Sequence, residues 1–348
     1  MKRTLTLMIS VAGAALLLAC SPENQVPVDE EITSAAGDVA GEVATQLPDM
    51  TPVEGEGADE AAETDDAAEA MLPTTDIFLA DLAWTGAVPA VTNIRNATRH
   101  PGYDNQPAFL PNGHDFFYAS ESEDGLTDVR IHLAATGESQ QITSTSESGE
   151  YSPRNYGVTS GIYFVRQLAD GTTQHLVHAN ANGSDPQPVL DLTTIGYYAF
   201  NADRSQVALF VLGETFTLQI ADVATGETTV AASGIGRALY SEPGGAAALF
   251  TTGNEEEGWA LNRYDFASGE TEMLFTLPGM GQDFAAHRMG DGTLVYLSSD
   301  DGTFYARTAE TEWTPVADFR GAMITNVTRM AVSDDGTTLA VVADDRSF

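Results

Sequence analysis

The feature that most constrains this chain is a spacing. Beyond residue 100, short apolar runs are broken by turn-forming triplets, and one such triplet returns at intervals of about 40 to 48 residues. The stretch Tyr103 to Thr143 sets the pattern: YDNQPAFLPNGHDFFYASESEDGLTDVRIHLAATGESQQIT. It contains four short strands separated by three turn signals, Pro111-Asn112-Gly113, Glu123-Asp124-Gly125 and Thr136-Gly137-Glu138. Four antiparallel strands per unit is the content of one propeller blade, and no long helical period interrupts the series.

The first turn returns in degraded form at Gly161, then at Asp203-Arg204-Ser205, Pro243-Gly244-Gly245, Gly290-Asp291-Gly292 and Asp334-Asp335-Gly336. Apolar runs such as VALFVL, AALF, LVYL and LAVV follow it. The second turn returns at Asp170-Gly171, Gly213-Glu214, Asn254 to Gly258 and Asp301-Gly302; the third returns as DVATGE and DFASGE. Six first-hairpin signals but five complete units result, because the chain ends at Phe348, just after the sixth hairpin. The missing outer strands are supplied from the other end. DIFLADLAWTG (76–86) and the following AVPAVTNI alternate as half-buried strands and have no partner before them. Pairing them with Met330 to Ala343 closes a ring and leaves no long open edge. The expected fold is all-β: a six-bladed β-propeller over residues 76–348.

These units resemble the repeat of the TolB-like β-propellers, a WD40-like repeat family. Its usual form is an aromatic-Asp, a Pro-x-Phe-Ser-Pro-Asp-Gly turn, a strand, Asp-Gly-x-x-Asp-Ile-Tyr and a final Leu-Thr. Leu110 stands where that turn has Ser, and Asn112 where it has Asp. The resemblance is strongest in the unit from Tyr103 and weakest in the unit from Glu150. It implies the propeller fold, in a family that includes sensors, transport accessories and propellers joined to peptidases.

The first twenty residues, MKRTLTLMISVAGAALLLAC, read as an address. A basic start at Lys2 and Arg3 precedes an apolar run too short for a permanent bilayer span, as in a signal peptide. Leu17-Leu18-Ala19-Cys20 resembles the lipobox of bacterial lipoproteins. That resemblance implies removal of residues 1–19 and lipidation of Cys20, the only cysteine in the chain. Ser21 after the cysteine implies outer-membrane sorting, with the domain facing the periplasm. Residues 20–75 then form an acidic tether: Ser21 to Thr75 carries 15 acidic residues, no basic ones and no aromatic ring.

With 51 acidic residues against 15 basic ones, the formal charge is −36. Such a charge repels phosphate backbones, so nucleic acid is excluded as a partner and the membrane is reached only through the lipid. The chain has no G-x-S-x-G elbow, H-E-x-x-H helix or G-x-x-x-x-G-K loop. His175 and His178 are three apart in a strand pattern and face opposite ways, so they cannot share a metal. The Asp-rich turns lack the alternating oxygen ligands of a calcium loop and suit hairpins instead. No metal, cofactor or catalytic residue is expected.

Loops leading into the inner strands gather at one mouth of a propeller channel. Aligning the units on the first turn puts Gln106, Tyr197, Arg237 and Arg329 in comparable positions. Tyr103, Asp104, Asn105, Tyr151 and Asp283 lie nearby, as do Glu150 and Tyr198; His287, beside Arg288, is a further candidate. Aromatic rings among arginines and amides suit a peptide, a carboxylate or a sugar. The expectation is a monomeric, non-catalytic scaffold that binds an envelope protein or peptide; a carbohydrate or peptide receptor, or a propeller enzyme using the same mouth, is the alternative.

Overall fold

The computed structural model describes residues 72–156 and 161–344. The leader, Cys20 and the tether up to residue 71 lie outside the described residues. The chain enters with β1 (Thr75–Thr85) and β2 (Val88–Asn96). Blade one is β3 (Asp104–Phe109), β4 (Phe116–Glu121), β5 (Thr127–Leu133) and β6 (Glu138–Gln141). Blade two is β7 (Ser148–Arg154), β8 (Gly161–Leu168), β9 (Gln174–Asn180) and a short β10 (Gln187–Pro188). Blade three is β11 (Ile195–Phe200), β12 (Gln206–Val211), β13 (Thr217–Asp222) and β14 (Thr228–Ser233). Blade four comprises β15 (Ile235–Ser241), β16 (Ala247–Asn254), β17 (Gly258–Asp265) and β18 (Thr271–Thr276). Blade five comprises β19 (Phe284–Arg288), β20 (Leu294–Asp300), β21 (Thr303–Thr308) and β22 (Thr314–Asp318). Blade six is β23 (Val327–Val332) and β24 (Thr338–Asp344) completed by β1 and β2, in the order β2-β1-β24-β23.

The six four-stranded antiparallel sheets thus form the expected propeller, closed as the split repeat required. β1 runs antiparallel to β24 from Thr75↔Asp344 to Asp81↔Thr338. Thr75 also donates its N–H to the Gly102 carbonyl (3.0 Å), tying the first strand to blade one. At the other end of β1, Trp84 Nε1 donates to the Gly336 carbonyl at 2.6 Å, across 252 positions of sequence.

Turn chemistry explains the acidic repeats. Asp170, Asp203, Asp265 and Asp291 each accept backbone N–H bonds two or three residues ahead, so these carboxylates cap their own hairpins. Gly161 departs from the expected turn role. It is the first residue of β8, paired with Asn180, and the β7–β8 connection falls at 155–160. Residues 157–160 of that connection lie outside the described residues.

The core is divided among blade interfaces. Ala199, Phe210 and Leu218 of blade three pack with Leu239, Phe250 and Tyr264 of blade four. Ile77, Ala340 and Val342 of blade six pack with Phe116 and Tyr118 of blade one. A fully buried Phe such as Phe250 contributes roughly 1.5–3 kcal/mol by leaving water, so each interface resists separation.

One irregularity positions the channel. The ladders of β3, β7, β11, β15 and β23 with their neighbours break register at Asn105/Ala108, Tyr151/Arg154, Ile195/Tyr197, Ile235/Leu239 and Val327/Arg329. β19 keeps its register against β20. A bulge reverses the alternation of side chains, so residues before and after it aim differently into the channel.

Candidate functional site: a plugged channel beneath an open funnel

At the level of the bulges a polar layer spans the channel. Asp283 carries its centre: Arg237 Nη2 donates to Oδ2 at 2.6 Å and Nη1 to Oδ1 at 3.2 Å, while Arg329 Nη1 lies 3.6 Å from Oδ1. Arg237 Nη1 also donates to the Thr328 carbonyl (2.9 Å). Arg329 Nη2 donates to the Tyr197 hydroxyl at 2.7 Å, its guanidinium 5.2 Å from the Tyr197 ring centre. Burial pushes Asp283 up to about 6 even though Arg237 opposes the shift. Tyr103 and Tyr197, also buried here, are pushed above the ordinary tyrosine range for the same reason.

Neighbouring blades are stitched together at this level. Gln106 Oε1 accepts the Ser152 N–H at 2.6 Å, and Gln282 Oε1 accepts the Arg237 N–H at 2.6 Å. The Tyr198 hydroxyl donates to the Ser152 carbonyl (2.9 Å). Gln106 and Ser152 occupy left-handed backbone, φ 59° and 51°, a conformation that costs non-glycine residues of order 1 kcal/mol or more. Asn105 Oδ1 steadies the first of them by accepting the Gln106 N–H (2.8 Å).

Above the plug, towards the ends of the inner strands, the channel widens into a funnel of about 450 Å³. Phe109, Tyr156, Phe200, Tyr240, Phe284 and Met330 supply much of its apolar lining, and Arg154, Glu242 and Asp334 its charged groups. Glu242 is held by Arg263 (2.9 Å) and Arg288 (3.1 Å). At the funnel floor is a recess of about 20 Å³ bordered by Gln106, Ser152, Arg154, Tyr197, Arg237 and Arg329. Pro107, Arg154, Tyr240 and Met330 line both spaces, which makes the recess continuous with the funnel.

The residues singled out in the sequence therefore meet at the channel, but beneath its surface. Gln106, Tyr197, Asp283 and Arg329 are less than a tenth exposed, as are Tyr103, Asn105 and Tyr151. Arg237 is partly buried. Asp104 is fully buried beside the ring closure, where Ser120 Oγ donates to it at 2.6 Å, and burial lifts it to about 6. Glu150 is likewise buried and receives Arg166 Nε at 3.0 Å. His287 does not join them: it stacks on Trp84 (5.3 Å between centres, 23° between planes) near the Gly336 turn. Sequence reasoning missed Arg154, Tyr240 and the funnel phenyl rings. A usable signal existed: Phe109, Phe200 and Tyr240 each lie three positions after an aligned residue, Gln106, Tyr197 and Arg237. In an unbroken strand that offset would face away from the channel; the bulge turns it inward.

Six four-stranded sheets arranged around one channel define the fold as a six-bladed β-propeller. Among solved structures, a putative TolB from Agrobacterium tumefaciens has a TM-score of 0.58 at 12% identity, covering 78% of this chain and 98% of that one. TolB from Acinetobacter baumannii has a TM-score of 0.51 at 11% identity, covering 78% of this chain and 64% of that one. A chain of a nidogen/laminin complex gives 0.56 at 12% identity, covering 74% and 98%. At such identities the likeness is one of fold. No family model matches this chain, and no curated protein matches it.

Proposed function

We propose that this protein is a lipid-anchored, non-catalytic scaffold of the bacterial envelope that binds a protein partner through the funnel. The observation that supports this reading is the shape and lining of the funnel: a wide, partly aromatic mouth on a ring whose blades are stitched by buried hydrogen bonds. Aromatic residues beside arginine supply contact area at small entropic cost and make binding hot spots. Among the described residues, no group of three or more His, Cys, Asp or Glu side chains is placed to hold a metal ion. Cys20 would carry the lipid, and the acidic tether would set the distance between the ring and its membrane.

The test is capture from cell envelopes on the full-length protein, followed by mass spectrometry. A saturable protein partner retained by the native chain but lost with Ala202→Trp, which obstructs the funnel rim, is the expected result. No enriched protein, or a partner indifferent to that substitution, would overturn the reading. Fatty-acid labelling of native chain but not of Cys20→Ala checks the anchor.

A further inference from the structure

We propose that the funnel floor is a carboxylate receptor, and that the carboxylate is the free C-terminus of a peptide whose last side chains lie against the aromatic wall. The proposal rests on the scaffold reading above and narrows what the funnel takes. Its first support is a mismatch of hydrogen-bonding groups. Gln106 Nε2 and Ser152 Oγ are buried without a well-formed hydrogen bond, the Gln106 amide only approaching the Tyr197 hydroxyl, and both residues border the recess. An orphaned buried polar group costs about 1–3 kcal/mol, and here two occur side by side. Both can donate, so the missing group accepts.

Their backbone strain is the second support. Gln106 and Ser152 are the two non-glycine residues of the inner strands with left-handed φ, and they aim at the same recess. A fold that tolerates strain and orphaned donors at one point is poised for an occupant that supplies acceptors.

Charge is the third. Arg154, Arg237 and Arg329 border the recess, whereas Asp283 is the carboxylate that pairs with Arg237 and Arg329. Arg154 rests over the Tyr240 ring, 5.1 Å from its centre, and among the described residues it forms no ion pair. A cationic floor in a protein of formal charge −36 selects an anion, and a guanidinium fork matches a carboxylate. The recess has room for little beyond a head group, and the funnel of about 450 Å³ above it accommodates a short apolar stem. A chain end meets both requirements, since its carboxylate can descend while the rest of the peptide leaves through the open mouth.

The experiment is calorimetric titration of the full-length protein with N-acetyl-Ala-Phe bearing a free C-terminal carboxylate, and with its C-terminal amide. The acid is expected to bind at least about tenfold more tightly than the amide, as loss of a charge-assisted pair requires. Arg154→Gln should erase that preference, while Arg130→Gln, on β5 of blade one, should leave it. Should Arg154→Gln fail to fold, the native protein still decides: its arginine side-chain NMR signals should shift with the acid and not with the amide. Equal binding of acid and amide, absence of binding by both at millimolar concentration, or a preference that survives Arg154→Gln would overturn the proposal. Binding of 3-phenylpropanoate as tight as that of the peptide would keep the carboxylate site and overturn the peptide source. A captured envelope protein without any acid preference sinks this inference alone, whereas an acid preference without a captured protein sinks the scaffold reading alone.

Discussion

Arg237 and Asp283, on neighbouring blades, face each other in a two-pronged pair, 2.6 Å and 3.2 Å, with the carboxylate 3% and the guanidinium 12% exposed. The pair closes the channel, and its burial makes it conditional on pH. Asp283 sits at about 6 in the folded ring, above the 3.8 of a free aspartate. Its contribution to stability is therefore fully present below about pH 4 and is lost as pH rises through about 6.

Replacing Arg237 by Met should consequently cost different amounts at different pH. Near pH 7.5 it leaves an ionised carboxylate buried with Arg329 as its remaining cation and Tyr197 and Tyr240 around it, a loss of about 3–5 kcal/mol. Near pH 4.5 Asp283 is protonated and the loss should shrink to roughly that of ordinary packing. Urea unfolding midpoints at the two pH values check this; an equal loss at both would mean that the pair is not coupled to proton binding.

Asp104 provides a second, independent pH term at the ring closure. Burial raises this carboxyl to about 6, with Asp76 adding a smaller repulsion, even though Ser120, Thr98 and His100 pull the other way. Its native-state proton likewise favours the fold below about pH 4, and that benefit fades as pH rises through about 6. Asp104→Asn imitates the protonated acid. The substitution should be nearly neutral near pH 4 and stabilising by up to about 3 kcal/mol at pH 8, the equivalent of two pKa units. Thermal melting across that pH range is the measurement, and a uniform destabilisation would refute the assignment.

How much of this was legible in the sequence depends on the kind of signal each part carries. The repeat and the closure by Asp76–Gly86 were readable because hairpin turns demand particular residues, such as Gly113, Gly125 and Gly137, which all adopt left-handed φ. The convergence of Gln106, Tyr197, Arg237 and Arg329 on the channel was readable for the same reason, since turns set the register of the strands. Their depth was not. Depth depends on the bulges at Asn105/Ala108 and Ile235/Leu239, and a bulge of ordinary residues leaves no mark in a polar-apolar pattern. His287 was misplaced because its ring belongs to the Trp84 stack, a contact made across the ring closure by residues 203 positions apart.

Gly236 explains why Arg237 stands where it does. A Cβ built there would overlap Thr251 Oγ1, Gln282 Oε1 and the Trp259 ring, and Gln282 Oε1 is the acceptor for the Arg237 N–H. Gly236→Ala must push these groups apart and should destabilise the protein by about 1–3 kcal/mol, the usual range for overpacking. It should also displace the Arg237 side-chain NMR signals, whereas Gly226→Ala in an open turn should leave them in place. Unchanged Arg237 signals would show that the inner bulge of blade four does not depend on this close approach.

The closure of blade six makes a prediction about cooperativity. Ile77 on β1 is fully buried between β24 and blade one, while Val88 at the start of the edge strand β2 is 50% exposed. Ile77→Ala should cost about 2–5 kcal/mol and Val88→Ala less than about 0.5 kcal/mol. An open repeat array loses stability locally, because each unit contacts only its neighbours. In a closed ring the loss at Ile77 instead removes a wall shared by the first and last blades. The Ile77→Ala protein should therefore unfold in one transition, shifted as a whole, when followed by both far-ultraviolet circular dichroism and, in a Trp84→Phe background, the fluorescence of Trp259 on blade four and Trp313 on blade five. Two separated transitions, with those tryptophans unaffected by the first, would show that β1 closes the ring without coupling it.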